Sequence, residues 1–129
     1  MSTITELDST QCFAHLSASR LGRIAFISAD EPVILPVNFV FHEGMIVFRT
    51  DPGEKLNDVP MRRVAFETDG TDGQGAWSVV VRGHAREVTT ALGDAYEELR
   101  ALPVPIQAPG DKAHWIAIEI TEVSGRLIR

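Results

Sequence analysis

Short apolar segments, rich in Val, Ile and Phe and separated by turn-forming residues, recur along most of the sequence. Such segments predict β-strands, because branched and aromatic side chains suit a pleated sheet and Gly, Pro and Asp suit turns. Together they amount to roughly 45% of the chain, about double the usual globular share. That share favours a closed or nearly closed β-barrel of six or seven strands. The predicted strands are Leu21–Ser28, Val33–Phe41, Met45–Thr50, Arg63–Thr68, Trp77–Val88, Trp115–Ile120 and Val123–Ile128.

Two or three short helices are predicted at the periphery of this mainly β fold. Asp8 is a suitable N-cap for a helix that ends near Ala18, and Thr90 for a second helix over Ala91–Leu102. A third helix is expected to begin at Asp51, because a proline and a glutamate follow at positions typical of a first helical turn.

Glycine and proline mark the irregular parts of the chain. Asp69–Gly75 contains three glycines and is predicted to be a loop, as is the proline-rich segment Pro103–Lys112. Gly83 lies inside the fifth predicted strand, where glycine indicates a β-bulge or the close approach of another backbone.

Composition excludes several classes of function. A chain of 129 residues predicts one domain, residues 1–129. The formal net charge of −6 argues against nucleic-acid binding, which needs a basic face. Cys12 is the one cysteine and the four histidines lack metal-ligand spacing, so neither a disulfide framework nor a metal site is predicted. With no secretory signal and no apolar run long enough for a bilayer, we expect a cytoplasmic protein that does not associate with membranes.

The segment around the end of the third predicted strand is the best candidate for a phosphate site. Arg49 and Thr50 end the strand, and Lys55, one of only two lysines, follows at the start of the predicted helix. Helix N-termini attract phosphate through free amides, and Arg, Thr and Lys add donors and positive charge. The alternative is that Asp51 simply caps a helix and Lys55 is solvated.

Two other strands carry unusual residues. Pro36 and Asn38 interrupt the apolar second strand, and proline there indicates a sheet edge or interrupted pairing. Asn38 offers an amide to a planar ligand, or satisfies a neighbouring backbone group. Trp77 and Ser78 follow the predicted glycine-rich loop, and Trp77 by itself is better explained as a barrel-end core residue than as a ligand contact.

Five segments occur in an order that resembles one known family. They are LGRIAF, PVILPVNFVF, MIVFRTDPGEKL, VAFETDG and WSVVVRGHAREV, beginning at residues 21, 32, 45, 64 and 77. In this order they resemble the pyridoxamine 5′-phosphate oxidase-like family, whose fold is the FMN-binding split barrel of Greek-key type. The resemblance extends from about Leu21 to Arg129 and is nearest to the short, single-domain members.

The resemblance implies a homodimer with two FMN sites at the subunit interface. Lys55 and Arg49 would hold the phosphate, and the strand containing Asn38 would run beside the isoalloxazine ring. Ser78 would face the flavin, and Trp115 lies in the region that supplies partner-subunit contacts. The implied cofactor-binding residues are Pro36, Val37, Asn38, Val47, Phe48, Arg49, Thr50, Lys55, Trp77, Ser78, Val79 and Trp115.

The function that the resemblance implies is an FMN-dependent oxidoreductase acting on a small organic substrate. The flavin would supply the redox chemistry, so the sequence need not contain a catalytic motif, and no catalytic residue is predicted. The chain lacks the C-terminal tryptophan–arginine signature of the true oxidases, and Glu54 stands where they carry an arginine. The alternatives are a non-catalytic flavin- or haem-binding sensor and a deazaflavin-dependent reductase on the same fold.

Overall fold

The computed structural model describes residues 3–50, 61–104 and 114–129. Within these ranges the chain forms seven strands, two α-helices and one 3₁₀ turn. In chain order they are β1 (Ile4–Leu7), α1 (Ser9–Ala18), β2 (Leu21–Ser28), β3 (Glu31–His42), β4 (Met45–Thr50), β5 (Met61–Asp72), β6 (Gly75–Glu87), the 3₁₀ turn (Thr90–Leu92), α2 (Asp94–Arg100) and β7 (His114–Ile128).

Six of the strands close into a ring in the order β2–β3–β4–β7–β6–β5, with every pairing antiparallel. The pairing of β2 with β5 is short and joins Arg23–Ala25 to Ala65–Glu67. β1 pairs with the far end of β7, outside the ring. The predicted split barrel of six or seven strands with peripheral helices is confirmed, and strands make up 64% of the described residues.

Alternation along the strands divides the apolar residues between two clusters. The inner cluster fills the barrel and includes Phe39, Phe48 and Phe66, each 1% exposed or less. Burying one such side chain stabilises the fold by about 1.5–3 kcal/mol. The outer cluster lies between the opposite face of the sheet and α2, where Leu99 packs with residues of β4 and β7. Since the outer cluster anchors α2, it also fixes the side chains that α2 presents.

The first helix and the first hairpins agree with the sequence prediction. Asp8 accepts a hydrogen bond from the Gln11 backbone at 2.8 Å, and the Gln11 side chain accepts one from the Asp8 backbone at 2.9 Å, which closes a capping box. β2 and β4 have the predicted bounds, and β3 is longer by two residues at its start and one at its end. The β3–β4 turn contains Gly44 at φ +78°, a conformation that glycine adopts without strain.

The two predicted C-terminal strands form one continuous strand, β7. The interruption expected between them is a β-bulge, at which Arg82 pairs with Glu122 and Gly83 with Ile120. A Cβ atom on Gly83 would lie 2.0 Å from the Glu119 carbonyl oxygen, so the backbones approach more closely than any side chain permits. The sequence predicts either a bulge or a close backbone approach at Gly83, and the structure shows both.

Two further predictions are wrong. Asp69–Gly75 is not a loop, because β5 and β6 continue to a two-residue turn closed by Asp72, whose carboxylate accepts hydrogen bonds from the Gln74 and Gly75 amides. The helix predicted from Thr90 begins only at Asp94, since Gly93 at φ +65° separates a 3₁₀ turn from α2. Strand β1 is not evident from the sequence, because it has only four residues, two of them polar, and most of it is exposed.

Candidate cofactor-binding site

The end of β4 positions Arg49 and Thr50 on opposite faces of the sheet. Thr50 is buried at 7% exposure, whereas Arg49 lies on the outer face, on which α2 packs. The register of β4 with β7 pairs Arg49 with Trp115 and Thr50 with His114. As a result the Arg49 guanidinium carbon lies 5.0 Å from the centre of the Trp115 ring, a cation–π contact.

Helix α2 brings a second guanidinium to the same ring. The Arg100 guanidinium carbon lies 5.6 Å from the centre of the Trp115 ring and 5.3 Å from that of Tyr96. Arg100 also donates a hydrogen bond of 3.2 Å to the Tyr96 hydroxyl, one helical turn earlier. We call Arg49, Arg100, Trp115 and Tyr96 the two-arginine cluster. In a chain of net charge −6, it concentrates positive charge at one end of β4.

Three acidic side chains of the described residues near α2 and the end of β6 contact histidines. Glu87, at the end of β6, is hydrogen-bonded to His114 Nδ1 at 2.5 Å. Glu98 of α2 is hydrogen-bonded to His42 Nε2 at 2.9 Å, and Glu43 lies 3.7 Å from the same nitrogen. The Glu98–His42 bond ties α2 to the end of β3, so it also helps to fix the helix that carries Arg100.

The pKa values that depart from ordinary values belong to groups outside this cluster. Burial, and secondarily the charge of Asp8, raises the pKa of the Cys12 thiol. Burial and the neighbouring Asp69 carboxyl raise the pKa of Glu67, which Arg23 opposes through a 2.7 Å ion pair. Cys12 packs in the inner cluster, and Glu67 lies on β5 opposite Arg23 of β2.

Residues Pro36–Asn38 lie next to the end of β4 but beyond its pairing with β3. The last β3–β4 pair is Phe39 with Phe48, and continuation of that register places Asn38 level with Arg49. On its other edge this segment pairs with β2, Asn38 opposite Leu21 and Pro36 opposite Arg23. Among the described residues no strand pairs with the first edge of Pro36, so the edge position predicted from the proline is confirmed. Pro36 is exposed, whereas Val37 and Asn38 are partly buried.

Val47 and Phe48 are core residues. Phe48 points into the barrel at 1% exposure, and Val47 lies in the outer cluster at 0%. Both side chains are fully occupied by packing, so in this conformation they offer a ligand only their backbone. Their predicted contact with a flavin remains a prediction.

Trp77, Ser78 and Val79 lie far from the two-arginine cluster within one chain. They pair with Leu127, Arg126 and Gly125, which are ten or more residues along β7 from Trp115. Val79 is fully buried in the inner cluster, and Trp77 stacks on His15 of α1 with ring centres 4.0 Å apart. The structure therefore brings Arg49, Thr50, Asn38 and Trp115 together at one end of the sheet, and places the Trp77–Val79 group elsewhere.

Lys55 is the one predicted site residue that lies outside the described residues. Lys55 and the helix predicted from Asp51 fall in residues 51–60, outside the described residues, and most of the predicted loop Pro103–Lys112 falls in 105–113. Conversely, sequence reasoning missed Arg100. The signal that could have found it is its position four residues after Tyr96 on a helix, a spacing at which side chains meet.

The six-stranded ring and the two arginines at the end of β4 identify this chain as a small split-barrel protein with a cationic site at one strand end. The family model described as pyridoxamine 5′-phosphate oxidase matches residues 8–127. The chain belongs to this family.

Solved structures from two bacteria share the fold over nearly the whole chain. A FAD-binding protein of Mycobacterium smegmatis is 30% identical, with a TM-score of 0.72 over 98% of this chain and 100% of that one. A FAD-binding protein of Mesorhizobium loti is 27% identical, with a TM-score of 0.78 over 95% and 96% of the two chains.

A curated relative gives a third comparison. An uncharacterized protein of Mycobacterium tuberculosis is 35% identical over 95 residues, which cover 67% of this chain and 62% of that protein. The match thus spans less than two thirds of the relative's length. Among the described residues no helix has the length and apolarity needed to cross a membrane.

Proposed function

We propose that this protein binds a flavin nucleotide, FMN as the smallest sufficient ligand, at the outer end of β4, and uses it to oxidise or reduce a small organic substrate. The observation that carries the proposal is the position of Arg49 at this strand end, against Trp115. A guanidinium recognises a phosphate group through paired hydrogen bonds. The fold of two FAD-binding relatives at 27–30% identity supports the same ligand class.

The residues present fit the phosphate end of such a cofactor. Arg49 supplies charge and directed donors on the outer face, and Trp115 and the outer cluster hold it against the sheet, whereas the Thr50 side chain lies on the opposite face. Continuation of the β3–β4 register would place Asn38 level with Arg49, where its side chain would offer amide donors. When bound, a flavin supplies two-electron transfer, so the chain's own task is to bind it, orient it and exclude water from one of its faces.

The proposal includes a homodimer. Ser78 and Arg49 lie at distant positions along the barrel, so one flavin reaches both only where two copies meet. The β2–β3 hairpin presents large apolar side chains that a partner would cover, namely Ile27 at 60% and Ile34 at 68% exposure. Exposed apolar groups concentrated on one hairpin are typical of protein interfaces. Sedimentation equilibrium of flavin-loaded protein tests this, with a dimer expected and a monomer that retains flavin refuting it.

The first test of function is the visible spectrum of the protein as purified, followed by titration of FMN with flavin fluorescence as the readout. We expect flavin absorption, or saturable quenching on titration. Arg49→Gln and Lys55→Ala should each weaken FMN binding by about 1.5–3 kcal/mol, the range for a charge-assisted hydrogen bond.

Arg82→Gln is the matched control. It removes one positive charge from an exposed side chain in the middle of β6, where Arg82 pairs with Glu122 at 3.8 Å, and should leave the affinity unchanged. If the wild-type protein binds neither FMN nor riboflavin, which lacks the phosphate group, the proposal is refuted. A Soret band in the purified protein would favour the haem-binding alternative instead.

Catalysis is tested separately from binding. The FMN bound to the protein should be reduced when the protein is mixed with NADH, NADPH or a chemically reduced electron donor. Flavin that stays oxidised with every donor would refute the oxidoreductase proposal and favour the sensor alternative.

A further inference from the structure

We propose that Arg100 is a cofactor-binding residue and that, with Arg49, it makes this site bind FAD, which carries a diphosphate, more tightly than FMN. The inference rests on the proposed flavin site and deepens it, because it specifies which flavin the site favours. Arg100 lies on α2, a helix for which the sequence predicts no contact with the cofactor.

The geometry of the two-arginine cluster carries the inference. Arg49 reaches the Trp115 ring from β4 and Arg100 reaches the same ring from α2, at 5.0 and 5.6 Å from its centre. By these distances the two guanidinium carbons are at most about 11 Å apart, which is within the span of a ligand that carries two adjacent phosphate groups.

Arg100 has donors to spare. A guanidinium has five N–H donors, and the one hydrogen bond that Arg100 makes among the described residues goes to the neutral Tyr96 hydroxyl. No carboxylate of the described residues lies within 4.0 Å of it, in contrast to Arg23, Arg82 and Arg86, which all have acidic partners. Arg100 thus retains its charge and most of its hydrogen-bonding capacity for a ligand.

The fold holds Arg100 in place from two sides. Leu99, the preceding residue, is 2% exposed in the outer cluster, and Tyr96 packs against the same cluster. On the other side of α2, Glu98 is hydrogen-bonded to His42. The negative end of the helix dipole would favour any cation near the C-terminus of α2. That effect does not account for the contact of Arg100 with Trp115 of β7.

The chemistry of the two flavins then predicts a difference. FMN ends in one phosphate, which a single bidentate guanidinium and its neighbours can hold. FAD has a second phosphate joined to the first, and it extends the anion along the ligand. A second fork-shaped donor is suited to this second phosphate, because a guanidinium matches phosphate geometry better than an ammonium group does.

The experiment measures the dissociation constants of riboflavin, FMN and FAD by flavin fluorescence for the wild type and four variants. In Arg100→Gln we expect the FAD constant to rise about tenfold, the FMN constant to rise less than about threefold, and the riboflavin constant to stay the same. Arg100→Lys should recover part of the FAD affinity, since charge is kept and the fork is lost. Arg82→Gln is the charge-matched control and should change none of the three.

Tyr96→Phe provides an independent variant. It removes the hydroxyl that orients Arg100 while keeping the ring, and should weaken FAD binding more than FMN binding. Circular dichroism and the thermal midpoint verify that each variant is folded, and Tyr96→Phe decides the matter if Arg100→Gln does not fold.

The outcomes separate the two proposals. Wild-type protein that binds none of the three flavins refutes the proposed function, and this inference with it. Wild-type protein that binds flavins, but whose FAD and FMN constants respond equally or not at all to Arg100→Gln, refutes the role of Arg100 alone.

Discussion

Replacing Gly83 with alanine should destabilise the protein strongly, because the added methyl has no space. Its Cβ would lie 2.0 Å from the Glu119 carbonyl oxygen, 2.9 Å from the Glu119 carbonyl carbon and 3.1 Å from the Ile118 side chain. The first two atoms are backbone of the paired strand β7, so the clash is relieved only if β6 and β7 separate. Overpacking of this kind costs about 1–3 kcal/mol, and each weakened ladder hydrogen bond adds about 0.5–1.5 kcal/mol.

We therefore expect Gly83→Ala to lower the free energy of unfolding by about 2–4 kcal/mol. Urea unfolding followed by far-UV circular dichroism measures this, at equal protein concentration and without added flavin. The midpoint should fall by about 1 M or more with an unchanged slope. Gly73→Ala is the control, since nothing lies within 4 Å of its added methyl in the β5–β6 turn. If Gly83→Ala unfolds within about 0.5 kcal/mol of the wild type, the close approach is not rigid and the reasoning fails.

Two other substitutions test the core and the electrostatics. Phe66→Ala should lower the free energy of unfolding in urea by about 3–5 kcal/mol, because Phe66 is 1% exposed and packs edge-on against Phe39. Phe13→Ala, at a partly buried site, should lower it by less. Equal losses would contradict the assignment of Phe66 to the inner cluster. Because the folded protein raises the pKa of Glu67, the stabilisation associated with protonated Glu67 is present below its ordinary pKa and is lost as pH rises through the raised value. The difference in unfolding free energy between wild type and Glu67→Gln should therefore change with pH just above the ordinary pKa of a glutamate side chain, and the wild type should lose stability relative to the variant as pH rises. A difference that stays constant there would contradict the raised pKa.

Local sequence patterns predict those strands whose pairing is itself local. β2, β3 and β4 follow one another through short turns, so apolar alternation and turn residues suffice to place them. The ends of β5 and β6 also pair locally, through a two-residue turn, but they could not be found this way because residues 69–75 are polar and rich in glycine. Thr68 is 1% exposed and donates a hydrogen bond of 2.8 Å to the Leu21 carbonyl of β2, a contact formed across 47 residues. Tertiary pairing thus gives strand conformation to a polar, glycine-containing segment that local propensity assigns to a loop.

The same distinction explains the candidate site. Arg49 could be proposed from its own segment, because a strand end followed by helix-initiating residues is visible within ten positions. That Trp115 lies opposite Arg49 depends on the register of β4 with β7, which no local pattern determines. Arg100 requires in addition that α2 pack on the outer face, through Leu99 and the outer cluster.

This dependence has a consequence for how binding and packing are coupled. Arg49 belongs to the barrel, whereas Arg100 belongs to a seven-residue helix attached to the barrel by Leu99, Tyr96 and the Glu98–His42 hydrogen bond. A change that loosens α2, such as Leu99→Ala, should therefore move Arg100 away from Trp115 and leave Arg49 in place. If the role proposed for Arg100 is correct, that change weakens FAD binding more than FMN binding, even though Leu99 itself is buried away from solvent. The preference between the two flavins would then depend on how firmly the outer cluster holds α2.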